Sequence, residues 1–334
     1  MLSLFYKDFK DFYKTDLCIA CSEPIINNAY LFSQVLTEDL TGKVNVYVCK
    51  KCGLAYAHPF LNIADEKKLY EDYFAHHKHE DIASNKIMLR FKFQESIDNL
   101  FAGVFFRQRS AGLKKALSCF LMQRVLVAYP LFSCSKNKPL KILDIGCGDG
   151  HFLSKAKHFN CVCYGTEYHA TLVKRLNAEG IIAETDIRKF ISGIKDNNDK
   201  FDIVRINWVL EHVLDPGSII DSAGQLLKDG GELIIGVPSF NTPARIFKEN
   251  FQMHLPQHRQ LFTKKSISSL LEKHGFKVIF YRTKSIGIIG PTLARKFKLN
   301  NIPLSFRIVD LFFSILFDIF NCGDCIEIYA RKTR

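Results

Sequence analysis

From Lys141 to the end of the chain, short apolar runs alternate with stretches of helical period. The runs "KILDIG", "VCYGTE", "FDIVRIN", "GELIIGVP", "KVIFYRT" and "CIEIYAR" are interleaved with "GHFLSKAKHF", "HATLVKRLNAEG", "GSIIDSAGQLLKDG" and "KKSISSLLEKHG". Strands separated by helices can only pair in parallel through crossovers, so the alternation demands a sheet covered by helices on both faces. It predicts a Rossmann-like α/β domain that starts at about residue 138, after the polar linker "SKNKP". A chain of 334 residues leaves room ahead of it for a smaller unit. No internal repeat of solenoid or propeller period interrupts this organisation.

The first run leads into "LDIGCGDGHFL", which places Asp144, Gly146, Gly148 and Gly150 between a strand and a helix. Glycines at such a turn let the backbone bend sharply and approach a ligand with no Cβ in the way. The spacing is GxGxG, one residue short of the dinucleotide pattern. Asp144, two residues before the first glycine, opposes a pyrophosphate but suits a ligand that bears an ammonium and a sulfonium. Glu167 ends the second strand, where a Rossmann-type fold puts an acid to accept from ribose hydroxyls. Asp186, in "IIAETDIRKF", follows a third short apolar run. Acceptance from an adenine amino group and an ordinary turn role both stay open there.

Four blocks in order extend this pattern. "LDIGCGDG", "FDIVRINWVLEHVLDP", "LLKDGGELIIGVPSF" and "LPQHRQLFTKKSISSLLEKHGFKV" give residues 141–283 a resemblance to the class I S-adenosylmethionine-dependent methyltransferases, particularly the group related to ubiquinone-biosynthesis and sugar methyltransferases. The resemblance implies that Asp144, Gly146 and Gly148 cradle the methionine part of the cofactor and that Glu167 holds its ribose. It implies further that Asp186 and Ile187 border the adenine, and that Asn207 and Trp208 line the floor between cofactor and acceptor. Lys228-Asp229 departs from the Lys-Pro that the family prefers before Gly230 and Gly231. Methyl transfer needs an aligned acceptor and a group that takes its proton; His212 and His258 are the candidate bases, against the plainer reading of each as a structural hydrogen-bonding group. Glu211, beside His212, reads as an orienting group. The implied reaction is methylation of a small-molecule acceptor, a sugar or surface-glycan intermediate, with O-methylation favoured over C- or N-methylation.

Ahead of this domain, Cys18-x2-Cys21 and Cys49-x2-Cys52 stand 27 residues apart. Two close thiolate pairs suit tetrahedral zinc, structural because protein fills all four positions. The pairs resemble the zinc-binding module found before some sugar and surface-polysaccharide methyltransferases, and they define a module over residues 1–60. Residues 61–137 read as a helical linker or lid. The broken apolar start "MLSLFYKDFKDFYK" shows no signal peptide, so a cytoplasmic chain with free thiols is expected.

The net charge of +12 is concentrated. Residues 86–138 carry ten Lys and Arg against Glu95 and Asp98, and residues 282–307 carry six basic residues and no acidic one. Between the last two strands, within an insert over about 286–321, "SFRIVDLFFSILFDIFNCG" reads as a helix with Asp310, Ser314 and Asp318 on one narrow stripe. Its apolar remainder fits docking on the chain's own helical region, a homodimer interface, or peripheral contact with the inner membrane surface. The sequence leaves monomer and homodimer open. A zinc-containing RNA-binding protein or RNA methyltransferase is the rival reading. The CxxC pairs lack the aromatic and basic interleaving of a stacking platform, and "INWVL" stands where base methyltransferases carry an "NPPY"-type tetrapeptide.

Overall fold

A computed structural model of the chain describes residues 5–6, 17–24, 29–35, 43–58, 60–61, 139–158, 161–250, 257–285 and 287–333. The helical region expected over 61–137 lies outside them, apart from its first residue. The described residues of 6–60 and 134–334 belong to the larger of two compact units.

The larger unit is built on a mixed α/β sheet. In chain order its elements are β4 (Lys141–Ile145), α1 (His151–His158), β5 (Val162–Thr166), α2 (Ala170–Ala178), β6 (Ile182–Glu184), α3 (Ile187–Ser192), β7 (Phe201–Asn207), α4 (Pro216–Leu226) and β8 (Leu227–Pro238). There follow α5 (Lys264–Lys273), β10 (Phe276–Lys284), α6 (Ile289–Lys296), α7 (Leu304–Ile319) and β11 (Cys325–Lys332). The sheet order is β10-β11-β8-β7-β4-β5-β6. β8, β7, β4, β5 and β6 pair in parallel, and β11 runs antiparallel to both β8 and β10. Central strands buried on both faces must be apolar along their length, and Ile142, Leu143, Val204, Ile206, Leu233 and Ile235 are all buried.

Local chemistry sets the element ends. Asp215 accepts from the Ser218 N–H at the start of α4, with Pro216 in its first turn. At α5, Thr263 and Ser266 form a reciprocal capping box. The Lys228-Asp229 turn also explains its departure from the family pattern: the Asp229 N–H donates to Asn197 Oδ1 at 3.1 Å, a bond that proline cannot make.

A second sheet joins strands from the first sixty residues to one from the second half of the chain. β1 (Ala29–Val35), β2 (Lys43–Val48) and β3 (Ala55–His58) form an antiparallel meander, and the short strand β9 (Gln260–Leu261), reached after β8, adds to its edge beside β3. Cys18, Cys49, Cys52, Leu54 and Tyr56 share one buried apolar cluster with Leu143, Val204, Phe262, Ile267 and Leu271. The cysteine knuckles are thus packed on the core of the α/β sheet.

Candidate functional site

At the carboxyl end of β4 the chain enters a loop in which Gly146, Gly148 and Gly150 have φ of 71°, 55° and 74°. These left-handed values favour glycine, but the three positions differ in their surroundings. A Cβ on Gly146 would lie 2.5 Å from Val209 Cγ2 and one on Gly150 would overlap Leu176, whereas one on Gly148 would meet nothing within 4 Å. Packing explains two of the glycines; Gly148 faces open space. Its N–H donates to Glu167 Oε2 at 3.0 Å, and the His169 N–H donates to Oε1 at 3.0 Å. Glu167, predicted at this strand end, is therefore a buried carboxylate held against the glycine loop.

Asp144, implied by the resemblance to cradle the methionine part of the cofactor, lies near the carboxyl end of β4. It is 1% exposed, Arg205 Nη1 donates to its Oδ2 at 2.8 Å, and Oδ1 is buried without a hydrogen-bond partner. Burial pushes its carboxyl above the ordinary range, opposed by the charge and hydrogen bond of Arg205. A neighbouring guanidinium thus balances the charge of Asp144, and one oxygen remains as an acceptor. Arg205 lies 4.2 Å over the Phe152 ring. The Asn207 amide, oriented to suit its neighbours, accepts from Arg205 Nη2 and Trp208 Nε1, both at 3.1 Å. Trp208 follows the end of β7 with φ of 58°, a strained conformation for a bulky residue and one that collects at functional sites.

Asp186 caps α3. Its side chain accepts from the Arg188 N–H at 2.9 Å and pairs with the Arg188 guanidinium at 2.5 Å, which lowers its pKa to about 2. Ile187 opens the helix behind it. Of the two roles left open for Asp186, the turn role is the one whose contacts are visible.

The predicted bases lie together. The His212 and His258 rings are 4.8 Å apart, centroid to centroid. A carboxylate oxygen of Glu211 and one ring nitrogen from each His all lie within 4.8 Å of one another, too far apart to share a proton directly but close enough to surround a cation. His212 Nδ1 contacts the Gln257 carbonyl at 3.1 Å. A carbonyl only accepts, so Nδ1 carries the hydrogen and Nε2, 3.9 Å from Glu211 Oε1, is the basic atom. Glu211 is fully buried, neither side-chain oxygen has a hydrogen-bond partner, and burial pushes its pKa up to about 8. The loop is clipped in place by the Arg259 N–H donating to the Glu211 carbonyl at 2.8 Å, and by Gln260 Nε2 donating to the carbonyls of Leu210 and Val213 at 2.7 and 2.9 Å.

Sequence reasoning missed a polar row on one sheet face. The register aligns Asp144, Arg205, Ile234 and Tyr329 across four strands, and next to them Asn207, Gly236, Glu327 and Arg282. A Cβ on Gly236 would overlap the Asn207 amide. Glu327 accepts from Arg282 Nε at 2.8 Å and from the Tyr329 hydroxyl at 2.6 Å. At the end of β10, Lys284 Nζ is buried with no hydrogen-bond partner, and burial pushes its pKa down to about 8. A visible signal existed: Arg205 and Glu327 are charges inside runs that otherwise read as fully buried strands.

The four predicted metal ligands also converge. Cys18 and Cys52 Sγ are 3.7 Å apart, as are Cys21 and Cys49, and all four sulfurs lie within 4.8 Å of one another. The Tyr56 hydroxyl donates to Cys18 Sγ at 2.8 Å. Cys52, together with this hydroxyl, holds the Cys18 thiol below the ordinary thiol range.

The sequence pattern of the family described as "Methyltransferase domain" matches residues 114–280, half of the chain, and the chain belongs to that family. Among curated proteins it is similar to the ubiquinone biosynthesis O-methyltransferase of Rhodopseudomonas palustris (strain TIE-1), at 26% identity over 167 residues, which cover 48% of this chain and 66% of the relative. The protein of the same name from Glaesserella parasuis serovar 5 (strain SH0165) is 36% identical over 104 residues, covering 28% of this chain and 44% of its own length. The chain thus spans at most 66% of the length of these relatives. Among solved structures, an S-adenosylmethionine-dependent methyltransferase from Archaeoglobus fulgidus is similar at a TM-score of 0.41 and 20% identity, over 58% of this chain and 86% of that one.

Proposed function

We propose that the protein transfers a methyl group from S-adenosylmethionine to an oxygen of a small polar acceptor, a sugar or surface-glycan intermediate. The observation that carries this reading is the glycine loop at the carboxyl end of β4, where Gly148 faces open space and its N–H is held by Glu167. Ligands of open α/β sheets gather at this end. The residues fit the cofactor: a backbone free of Cβ borders the space, and the buried Asp144 Oδ1 still lacks a donor. Gly146, Gly148 and Asp144 would hold the methionine part, Glu167 the ribose, Asp186 and Ile187 the adenine edge, and Asn207 and Trp208 the floor. When bound, S-adenosylmethionine supplies a methyl carbon on a sulfonium, open to in-line displacement.

The remaining work falls to the chain. His212 Nε2, its tautomer set by the Gln257 carbonyl, accepts the acceptor's proton, and His258 flanks the same space as the alternative base. Support for an oxygen acceptor comes from the O-methyltransferase relatives; support for a sugar comes from the cysteine module. We take residues 138–334 as the catalytic domain with its insert at about 286–321, residues 61–137 as the lid, and residues 1–60 as the zinc module. A structural zinc ion suits Cys18, Cys21, Cys49 and Cys52. Thiolates about 2.3 Å from a tetrahedral zinc stand about 3.8 Å apart, close to the two 3.7 Å pairs.

Isothermal titration with S-adenosylhomocysteine, on protein whose zinc content is assayed, tests the reading. Micromolar binding is expected. A folded, zinc-loaded protein that does not bind overturns it.

A further inference from the structure

Helix α7 (Leu304–Ile319) is amphipathic with its polar side turned inward. Asp310 Oδ1 accepts from the Ile289 N–H at 2.9 Å, and Asp318 Oδ1 from the Ser285 N–H at 2.6 Å. Both carboxylates that the sequence placed on one stripe are thus spent on the protein's own backbone. The opposite side is apolar and open: Leu304 is 73% exposed, Ile308 61%, Leu311 63% and Phe312 59%. The patch continues onto the end of α6, where Phe297 is exposed and its ring lies 5.8 Å from that of Phe306. Single exposed apolar residues need no explanation, but a contiguous helical face of them marks an interaction surface.

The rim identifies the partner. Lys298 and Arg307 are exposed beside the patch, and no acidic residue occurs from Ser285 to Val309. With Asp310 and Asp318 turned inward, the outward surface of this insert is apolar and positive. A second copy of the chain would bring the same positive rim against it, within a molecule of net charge +12. The basic stretch 86–138 carries the same sign. An anionic bilayer carries the opposite sign and offers an apolar interior.

We infer that α7 lies flat on an anionic phospholipid surface, with Leu304, Ile308, Leu311 and Phe312 among the acyl chains and Lys298 and Arg307 among the headgroups. Sixteen helical residues span about 24 Å, short of the ~20 residues that a crossing needs. Among the described residues no helix is long and apolar enough to cross a membrane. The insert leaves β10 at Lys284 and enters β11 at Cys325, which pair across from Pro238 at the carboxyl end of β8. The bilayer therefore meets the insert next to the sheet end that carries the candidate site. This inference is independent of methyl transfer.

Flotation of the full chain with vesicles of phosphatidylglycerol and phosphatidylethanolamine, against vesicles of phosphatidylcholine alone, tests it. The protein is expected to float with the anionic vesicles, less so in high salt. Ile308→Glu with Phe312→Glu should abolish flotation, and Lys298→Gln or Arg307→Gln should weaken it about fivefold each. Melting temperature and S-adenosylhomocysteine binding should stay as in the parent, and Ile308→Ser with Phe312→Ser gives the same reading should the Glu pair not fold. Absence from the anionic fraction overturns the inference, as does flotation indifferent to these variants. A dimer in light scattering that the Ile308 and Phe312 variants split, without flotation, assigns the patch to a second copy instead.

Discussion

Glu211 is the residue whose surroundings most need an explanation, because a fully buried carboxyl with no hydrogen-bond partner is destabilising in its charged form. Its folded pKa of about 8 lies above the ordinary 4.5. The folded state thus holds a proton that the unfolded chain has released, so Glu211 stabilises fully below about 4.5 and loses that contribution as pH rises toward about 8. Glu211→Gln should therefore raise the melting temperature at pH 8 relative to pH 5. Thermal melts of both proteins across that range check it; parallel pH profiles would show that Glu211 is solvated or paired. At the glycine loop, Gly148→Ala should abolish S-adenosylhomocysteine binding while costing only about 1–2 kcal/mol of stability, from the left-handed backbone. Gly146→Ala should unfold the protein more readily, because its Cβ must displace Val209. Titration calorimetry and melts on the two variants separate binding from packing. The positions of Gly146, Gly148 and Glu167, at a glycine turn and a strand end, were legible because a sharp strand-to-helix turn leaves a mark in local spacing. The balance of Asp144 by Arg205 was not, since these residues are 61 positions apart and only strand order makes them neighbours.

At the scale of elements, all six strand candidates of the α/β region became strands, and the four helical stretches between them became α1, α2, α4 and α5. Apolar runs bounded by turn residues specify central strands because both faces are buried and every position must be apolar. β6 is only three residues long, and its run showed in the sequence only as the short apolar stretch ahead of Asp186. β9 was invisible for a different reason: its two residues become a strand only by pairing with β3, some 200 positions earlier. The direction of the α7 stripe was equally hidden, since periodicity tells which residues share a face and not which way that face turns. Arg205 offers the sharpest test at this scale, as it joins β4 to β7 through a buried ion pair. Arg205→Met should cost about 3–5 kcal/mol by leaving Asp144 without its partner. Adding Asp144→Asn should recover much of that loss, and chemical denaturation of the single and double variants measures the coupling. Purely additive effects would mean that the pair contributes nothing as a pair.

In the molecule as a whole, the cysteine knuckles are tied to the site by a continuous line of contacts. Thr263 Oγ1 donates to the Cys52 carbonyl at 2.8 Å while capping α5, the Ala57 N–H donates to the Arg259 carbonyl at 3.0 Å, and the Arg259 N–H reaches the Glu211 carbonyl at 2.8 Å. β9, inside this line, begins two residues after His258. If the proposed zinc is bound, its removal releases four thiols that have little reason to stay together, and the edge pairing of β3 with β9 loses its support. The glycine loop joins β4 to α1 and, among the described residues, takes no hydrogen bond from the knuckles. Metal-stripped protein, or the Cys49→Ser variant, should therefore melt in one cooperative step lowered by at least about 10 °C. S-adenosylhomocysteine affinity should change by less than about threefold, since Gly148 and Glu167 keep their places, while amide exchange should accelerate at Ala57 and Arg259 together. Calorimetry and hydrogen exchange on the stripped and zinc-loaded protein decide the matter. A separate early transition that leaves the main melt unmoved would make the module an independent folding unit, and the shared core of Cys52, Phe262 and Leu271 would then contribute little to its stability.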